Sequence, residues 1–146
     1  MRSIKLSRPA SQRIALVKNL ATSLLLYEKV QTTPAKARAA QSHAERLITT
    51  AKRWRSAGSV GSQLNLYRLI LAETNDRLAA KKLIEVLATR FADRVGGYTR
   101  RVRLGRRLGD GAEQVLVTLV ADSAAAMSAA STSQSVAAVT PIKEDQ

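Results

Sequence analysis

The chain has 146 residues, with 24 Lys and Arg against 11 Asp and Glu, a net charge of +13. It has no cysteine and one histidine, His43, which excludes disulfide scaffolds, thiolate or His-rich metal sites and cysteine nucleophiles. So large a positive excess makes a polyanion the first partner to consider, because each neutralised phosphate releases condensed counterions.

In chain order, Arg2, Lys5 and Arg8 form a basic arm, residues 1–10, with Pro9 favouring an extended path. The acid-free first 27 residues also resemble an organelle transit peptide, but no secretory or membrane-spanning apolar run exists. Ser11 is expected to cap a helix over 12–26, with Ile14, Val17, Leu20, Ala21, Leu24 and Leu25 on one face. Residues 28–32 read as a short strand. Thr33-Pro34 then opens a second helix: the Thr hydroxyl can accept a first-turn N–H, and proline fits the first helical position. Ala37, Ala40, Ala44, Leu47, Ile48 and Ala51 mark its inner face, and Gly58 and Gly61 are expected to stop it.

A third helix over 63–73 would turn Leu64, Tyr67, Ile70 and Leu71 inward. Asn75-Asp76 caps a fourth over 77–91, with Ala79, Leu83, Val86 and Leu87 inside. After Gly96-Gly97 the period changes to two. Tyr98 to Leu104 and Glu113 to Val120 read as two strands of a hairpin. A two-stranded hairpin is marginal alone, so the 28–32 strand is expected to join it. The reading is an α+β domain over residues 11–120. Four helices pack against a small three-stranded mixed sheet. Residues 121–146, mostly Ala, Ser, Thr and Val, read as a flexible C-terminal extension.

The charge is uneven. Residues 1–108 carry 23 basic and 6 acidic residues, a net +17, while residues 109–146 carry −4. Arg100, Arg101, Arg103, Arg106 and Arg107 crowd a strand and its turn with no acid between Asp93 and Asp110. Guanidinium forks match phosphate oxygens, so this cluster is the leading candidate for phosphate contact. A solvated face would mix signs. Tyr98 beside two glycines could stack on a base or belong to the core; both readings stand. His43 inside a helix reads as structural rather than as a general base, since no nucleophile partner is visible. Asp110 and Glu113 read as a turn former and an edge residue rather than paired catalytic carboxylates. The inventory implies no enzyme, no metal, no cofactor and no small-molecule substrate. Charge alone leaves a basic DNA-binding architectural protein as the alternative to an RNA binder.

The run Arg90-Phe91-Ala92-Asp93-Arg94-Val95-Gly96-Gly97-Tyr98-Thr99-Arg100 resembles the signature of the bacterial large-subunit ribosomal protein L-seventeen family. Lys5-Leu6, Arg8, Asn19-Leu20-Ala21, Thr32-Thr33, Lys36-Ala37 and Glu45-Arg46-Leu47-Ile48-Thr49 fall in the same register, and the resemblance covers about 5–120. It leaves nothing to cleave before residue 5. It implies a cytoplasmic, ribosomal structural protein that binds large-subunit ribosomal RNA near the nascent-peptide tunnel exit and touches neighbouring ribosomal proteins. By match to the family pattern, Lys5, Arg8, Arg13, Lys36, Lys52, Arg94, Arg100 and Arg107 are the implied RNA contacts. Arg2, Arg101, Arg103 and Arg106 are added on charge and position. Arg101 stands where the family usually has an aliphatic residue.

Overall fold

The computed structural model describes residues 5–120. Arg2 and the expected extension 121–146 lie outside them. The chain begins with a turn in which Leu6 and Ser7 adopt left-handed φ values of 54° and 50°, so this part of the arm is folded back rather than extended. Helix α1 (Ala10–Tyr27) starts two residues earlier than expected. Pro9, not Ser11, stands at its cap, and the Arg13 N–H donates to the Pro9 carbonyl at 3.0 Å. Proline's fixed φ already suits helix entry, so no side-chain cap is needed to start the ladder.

Glu28 ends α1 with a left-handed φ of 60°, which shortens β1 to Lys29–Thr32. Helix α2 (Pro34–Ser56) opens with Thr33 and Pro34 placed as the sequence predicts, but the Thr33 hydroxyl makes no capping bond. Its inner face is the expected one: Ala37, Ala44, Ile48 and Ala51 are fully buried. Four small residues on that stripe let neighbouring elements approach closely.

Helix α3 (Val60–Glu73) is capped by Ser59, whose hydroxyl accepts the Ser62 N–H at 3.3 Å, and it therefore includes Gly61. Its expected inner face reaches the core only at its C-terminal end, where Ile70 is buried and Leu71 packs against the cluster. Leu64 and Tyr67 are 46% and 39% exposed. Gln63 and Leu66 face inward instead. Asp76 caps the fourth helix as expected, accepting the Leu78 N–H at 2.8 Å. That helix opens as α4 (Arg77–Lys82), widens into a π-helical turn (Leu83–Leu87) and closes as α5 (Ala88–Arg90). In the wide turn the Ala88 N–H reaches back five residues to the Leu83 carbonyl. Leu83, Ile84, Leu87 and Ala88 all turn inward, while Val86, expected inside, is 43% exposed.

Strands β2 (Thr99–Arg106) and β3 (Glu113–Leu119) form the hairpin. The sheet order is β1-β3-β2 and both pairings are antiparallel. The mixed sheet expected above is therefore corrected. The hairpin sets β2 against β3, and β1 takes the other edge of β3 running parallel to β2 but never touching it. Val115, Val117 and Leu119 point to the helices and are at most 8% exposed. They meet Leu24, Leu25, Leu83, Leu87, Phe91 and Tyr98 in one core. Each such large side chain adds about 1.5–3 kcal/mol by leaving water.

Candidate nucleic-acid interface

The arginine cluster owes its exposure to its place at the sheet edge. Arg101 pairs across the ladder with Val117, and Arg103 with Val115. Alternation therefore sends both arginines to the face that β3 turns toward the helices. On that face the core covers β3, partly covers Val30 of β1 and reaches β2 only at Thr99, so every residue from Arg100 to Arg106 is exposed. A β-bulge between Arg103 and Gly105, with Gly105 at φ 107°, bends the strand end.

Between β2 and the start of α2 lies an open groove of about 750 Å³, lined by Arg38, Gln41, Arg100, Arg101, Arg103 and the first turn of α2. None of its lining residues is acidic. The first turn of α2 has no acid either, and its N-terminal amides point their partial positive charge outward. Field and side chains thus agree in sign. Four guanidiniums and a helix start offer a rigid seat for anionic oxygens.

A second groove of about 600 Å³ lies farther along α2, among Thr49, Lys52, Arg53, Arg55, Ala92, Val95 and Tyr98. Here some cations are already engaged. Lys52 Nζ donates to the Arg94 carbonyl at 2.6 Å and sits 5.7 Å from the centre of the Tyr98 ring. Arg55 donates to the Thr89 hydroxyl. Tyr98 is 2% exposed, packs against Phe91 with ring centres 5.2 Å apart, and donates to the Val95 carbonyl at 3.2 Å. It is a core residue and no platform for a base. Gly97, at φ 66°, makes the turn that delivers it there.

The remaining candidates divide. Arg107 Nε donates to Asp110 at 2.9 Å, and this pair holds the Asp110 carboxyl down to about 2. Asp110 also accepts the Ala112 N–H at 3.2 Å, which makes it a turn former as expected. Arg107 therefore reaches any partner with its charge already matched. Arg106 is exposed opposite Glu113. Lys5 and Arg8 are exposed in the N-terminal turn, and Arg13 is half-buried on the first turn of α1. Lys36 lines neither groove. Arg94 is exposed beside the second groove.

Sequence reasoning missed Arg38, Arg53 and Arg55 as site residues. Their signal was spacing: Arg38 and Lys52 stand fourteen residues apart, which returns to one side of a helix. His43 is 9% exposed, with Nε2 3.5 Å from the Glu73 carboxylate, a structural position. Among the described residues no group of His, Asp or Glu could hold a metal, and no helix is long and apolar enough to cross a membrane.

A family model described as ribosomal protein L17 matches residues 16–120. The large ribosomal subunit protein bL17 of Syntrophotalea carbinolica is 41% identical over 116 residues, covering 80% of this chain and 70% of that protein. Its counterpart in Clostridium perfringens is also 41% identical over 116 residues, covering 80% of this chain and 96% of its own. That of Endomicrobium trichonymphae is 40% identical over 116 residues, with 92% of its length covered.

Proposed function

The chain belongs to the ribosomal protein L17 family, and from that membership we propose that it holds large-subunit ribosomal RNA through the arginine groove between α2 and β2. Membership makes it a structural constituent of the large ribosomal subunit in bacteria and not an enzyme. The observation that carries the RNA reading is the groove lined by Arg38, Arg100, Arg101 and Arg103 with no acid among its lining residues. Recognition is of backbone and shape, because the one aromatic lining either groove, Tyr98, is buried. Lys5, Arg8, Arg13, Lys36, Lys52, Arg94, Arg106 and Arg107 add peripheral charge in this reading, as does Arg2 outside the described residues. Neighbouring ribosomal proteins are the further partners, the cytoplasm is the compartment, and the tunnel exit is the location; these three rest on the family resemblance.

The test is sedimentation of the full chain from cells at moderate salt. Nearly all of it should travel with the large subunit. Finding it mostly free, or on DNA, would overturn the proposal in favour of an architectural DNA binder.

A further inference from the structure

We infer that the two grooves are two stretches of a single track, and that one RNA strand runs along the flank of α2 through both. The inference rests on the RNA reading above. The first groove takes Pro34, Arg38 and Gln41 from α2, and the second takes Thr49, Lys52 and Ser56. With Glu45 standing between Gln41 and Thr49, steps of three and four residues keep these six on one side of the helix, because two turns take about 7.2 residues; Ala35, Arg53 and Arg55 line the grooves from beside that row. The opposite wall is continuous as well. Thr99 lines the first groove and Tyr98, its neighbour in the chain, lines the second. The two linings are therefore consecutive along the chain at this point.

What separates them is Glu45. It stands seven residues after Arg38 and seven before Lys52, on the same flank. Its Oε1 accepts the Thr99 hydroxyl at 2.7 Å and the Gln41 amide at 3.4 Å. These bonds fasten α2 to the base of β2 and form a low saddle between the grooves. Neither groove has an acid among its lining residues, which include Arg38, Arg100, Arg101, Arg103, Lys52, Arg53 and Arg55, and this carboxylate stands between the two. A strand crossing the saddle therefore feels attraction, one repulsion, then attraction again. Arg38 and Lys52 are about 21 Å apart along the helix at ~1.5 Å per residue. A strand following this line sets only a few successive phosphates along it.

The absence of cysteine allows a direct test. Full-length Ala35→Cys and Thr49→Cys chains, fourteen residues apart on this flank, each carry a tethered iron chelate. Each is bound to protein-free large-subunit RNA, and hydroxyl-radical cleavage is mapped. The expected result is two cleavage clusters on one strand, centred only a few nucleotides apart. Clusters on different strands, or tens of nucleotides apart, overturn the single track but leave RNA binding standing. Binding without cleavage from either probe has the same consequence. Failure of the unlabelled chain to bind this RNA at all overturns both readings. As a second measurement, Glu45→Gln keeps an acceptor for Thr99 and removes the charge. It should tighten RNA binding two- to five-fold at low salt, and unchanged or weaker binding contradicts a path over the saddle.

Discussion

Glu28 and Arg90 form a bidentate ion pair, with carboxylate oxygens 2.7 and 3.2 Å from the guanidinium nitrogens. Lys82 Nζ lies 2.8 Å from the same carboxylate and also donates to the Leu26 carbonyl at 2.7 Å. Glu28 is the residue that leaves α1 by a left-handed turn, so one side chain ties the α1–β1 corner to both ends of the fourth helix beyond its first turn. Arg90, then Lys82, hold the Glu28 carboxyl below its ordinary value of 4.5 against the opposing effect of burial. The unfolded chain takes the proton more readily, so the contribution is complete above about pH 4.5 and fades as the pH falls through the lowered folded value. Glu28→Gln should cost about 1–2 kcal/mol at pH 7, a charged hydrogen-bond loss discounted for a side chain one-third exposed. Urea unfolding should show this difference shrinking below pH 4. A constant difference from pH 7 to pH 3 would exclude the ion pair as its source.

The arginines of the hairpin should not count equally. Arg103 lies in the groove with no partner among the described residues, while Arg107 is matched by Asp110. Arg103→Ala should lower the slope of log affinity against log salt by about 0.7–0.9, one phosphate contact. Arg107→Ala should lower it less. Asp110→Asn, which preserves an acceptor for the Ala112 N–H, should release Arg107 and raise the slope. Salt titrations of binding to large-subunit RNA measure all three, and equal losses for Arg103 and Arg107 would mean that Asp110 lets go on binding.

Phe91 follows the fourth helix and is fully buried against Tyr98. Phe91→Ala should remove about 3–5 kcal/mol, the transfer loss plus a cavity. Chemical unfolding measures it directly. A loss under 1 kcal/mol would mean that the helix end collapses into the space without strain.

His43 supplies a pH dependence in a different window. Burial pushes its pKa below the ordinary 6.5; Glu73 opposes that shift, while Arg46 and Lys18 reinforce it. The folded chain favours neutral imidazole, so the unfolded state binds the extra proton first. Stability should be full above about pH 6.5 and decline as the pH drops toward the lowered folded value. His43→Gln should flatten this decline between pH 7 and 5.5, since no other histidine exists. An unchanged decline would assign it elsewhere.

The parts legible in sequence were those governed by local chemistry. Thr33-Pro34 marks the start of α2, Asp76 the start of α4, and the alternation of Val115, Val117 and Leu119 the buried face of β3. The inner face of α3 was legible only at Ile70 and Leu71, because apolar residues stand on several of its sides. Val60, Leu64, Leu66, Tyr67, Leu69, Ile70 and Leu71 satisfy more than one helical stripe. Where α2 lies selects among them. The π-turn likewise shifts the phase of Leu83–Leu87 in a way no regular period anticipates. The hairpin half of the groove was readable from charge density. The Arg38 half was not, since its meaning depends on α2 starting beside β2.

The open edge of β2 has a consequence for the chain before it meets any partner. An unpaired strand eight residues long exposes backbone donors and acceptors that another copy could match. Arg100, Arg101, Arg103 and Arg106 place like charges along it, so two such edges repel before they can align. The arginines proposed to hold RNA would therefore also oppose edge-to-edge pairing of newly made chains. Replacing them with uncharged side chains would leave the edge open to strand pairing and aggregation.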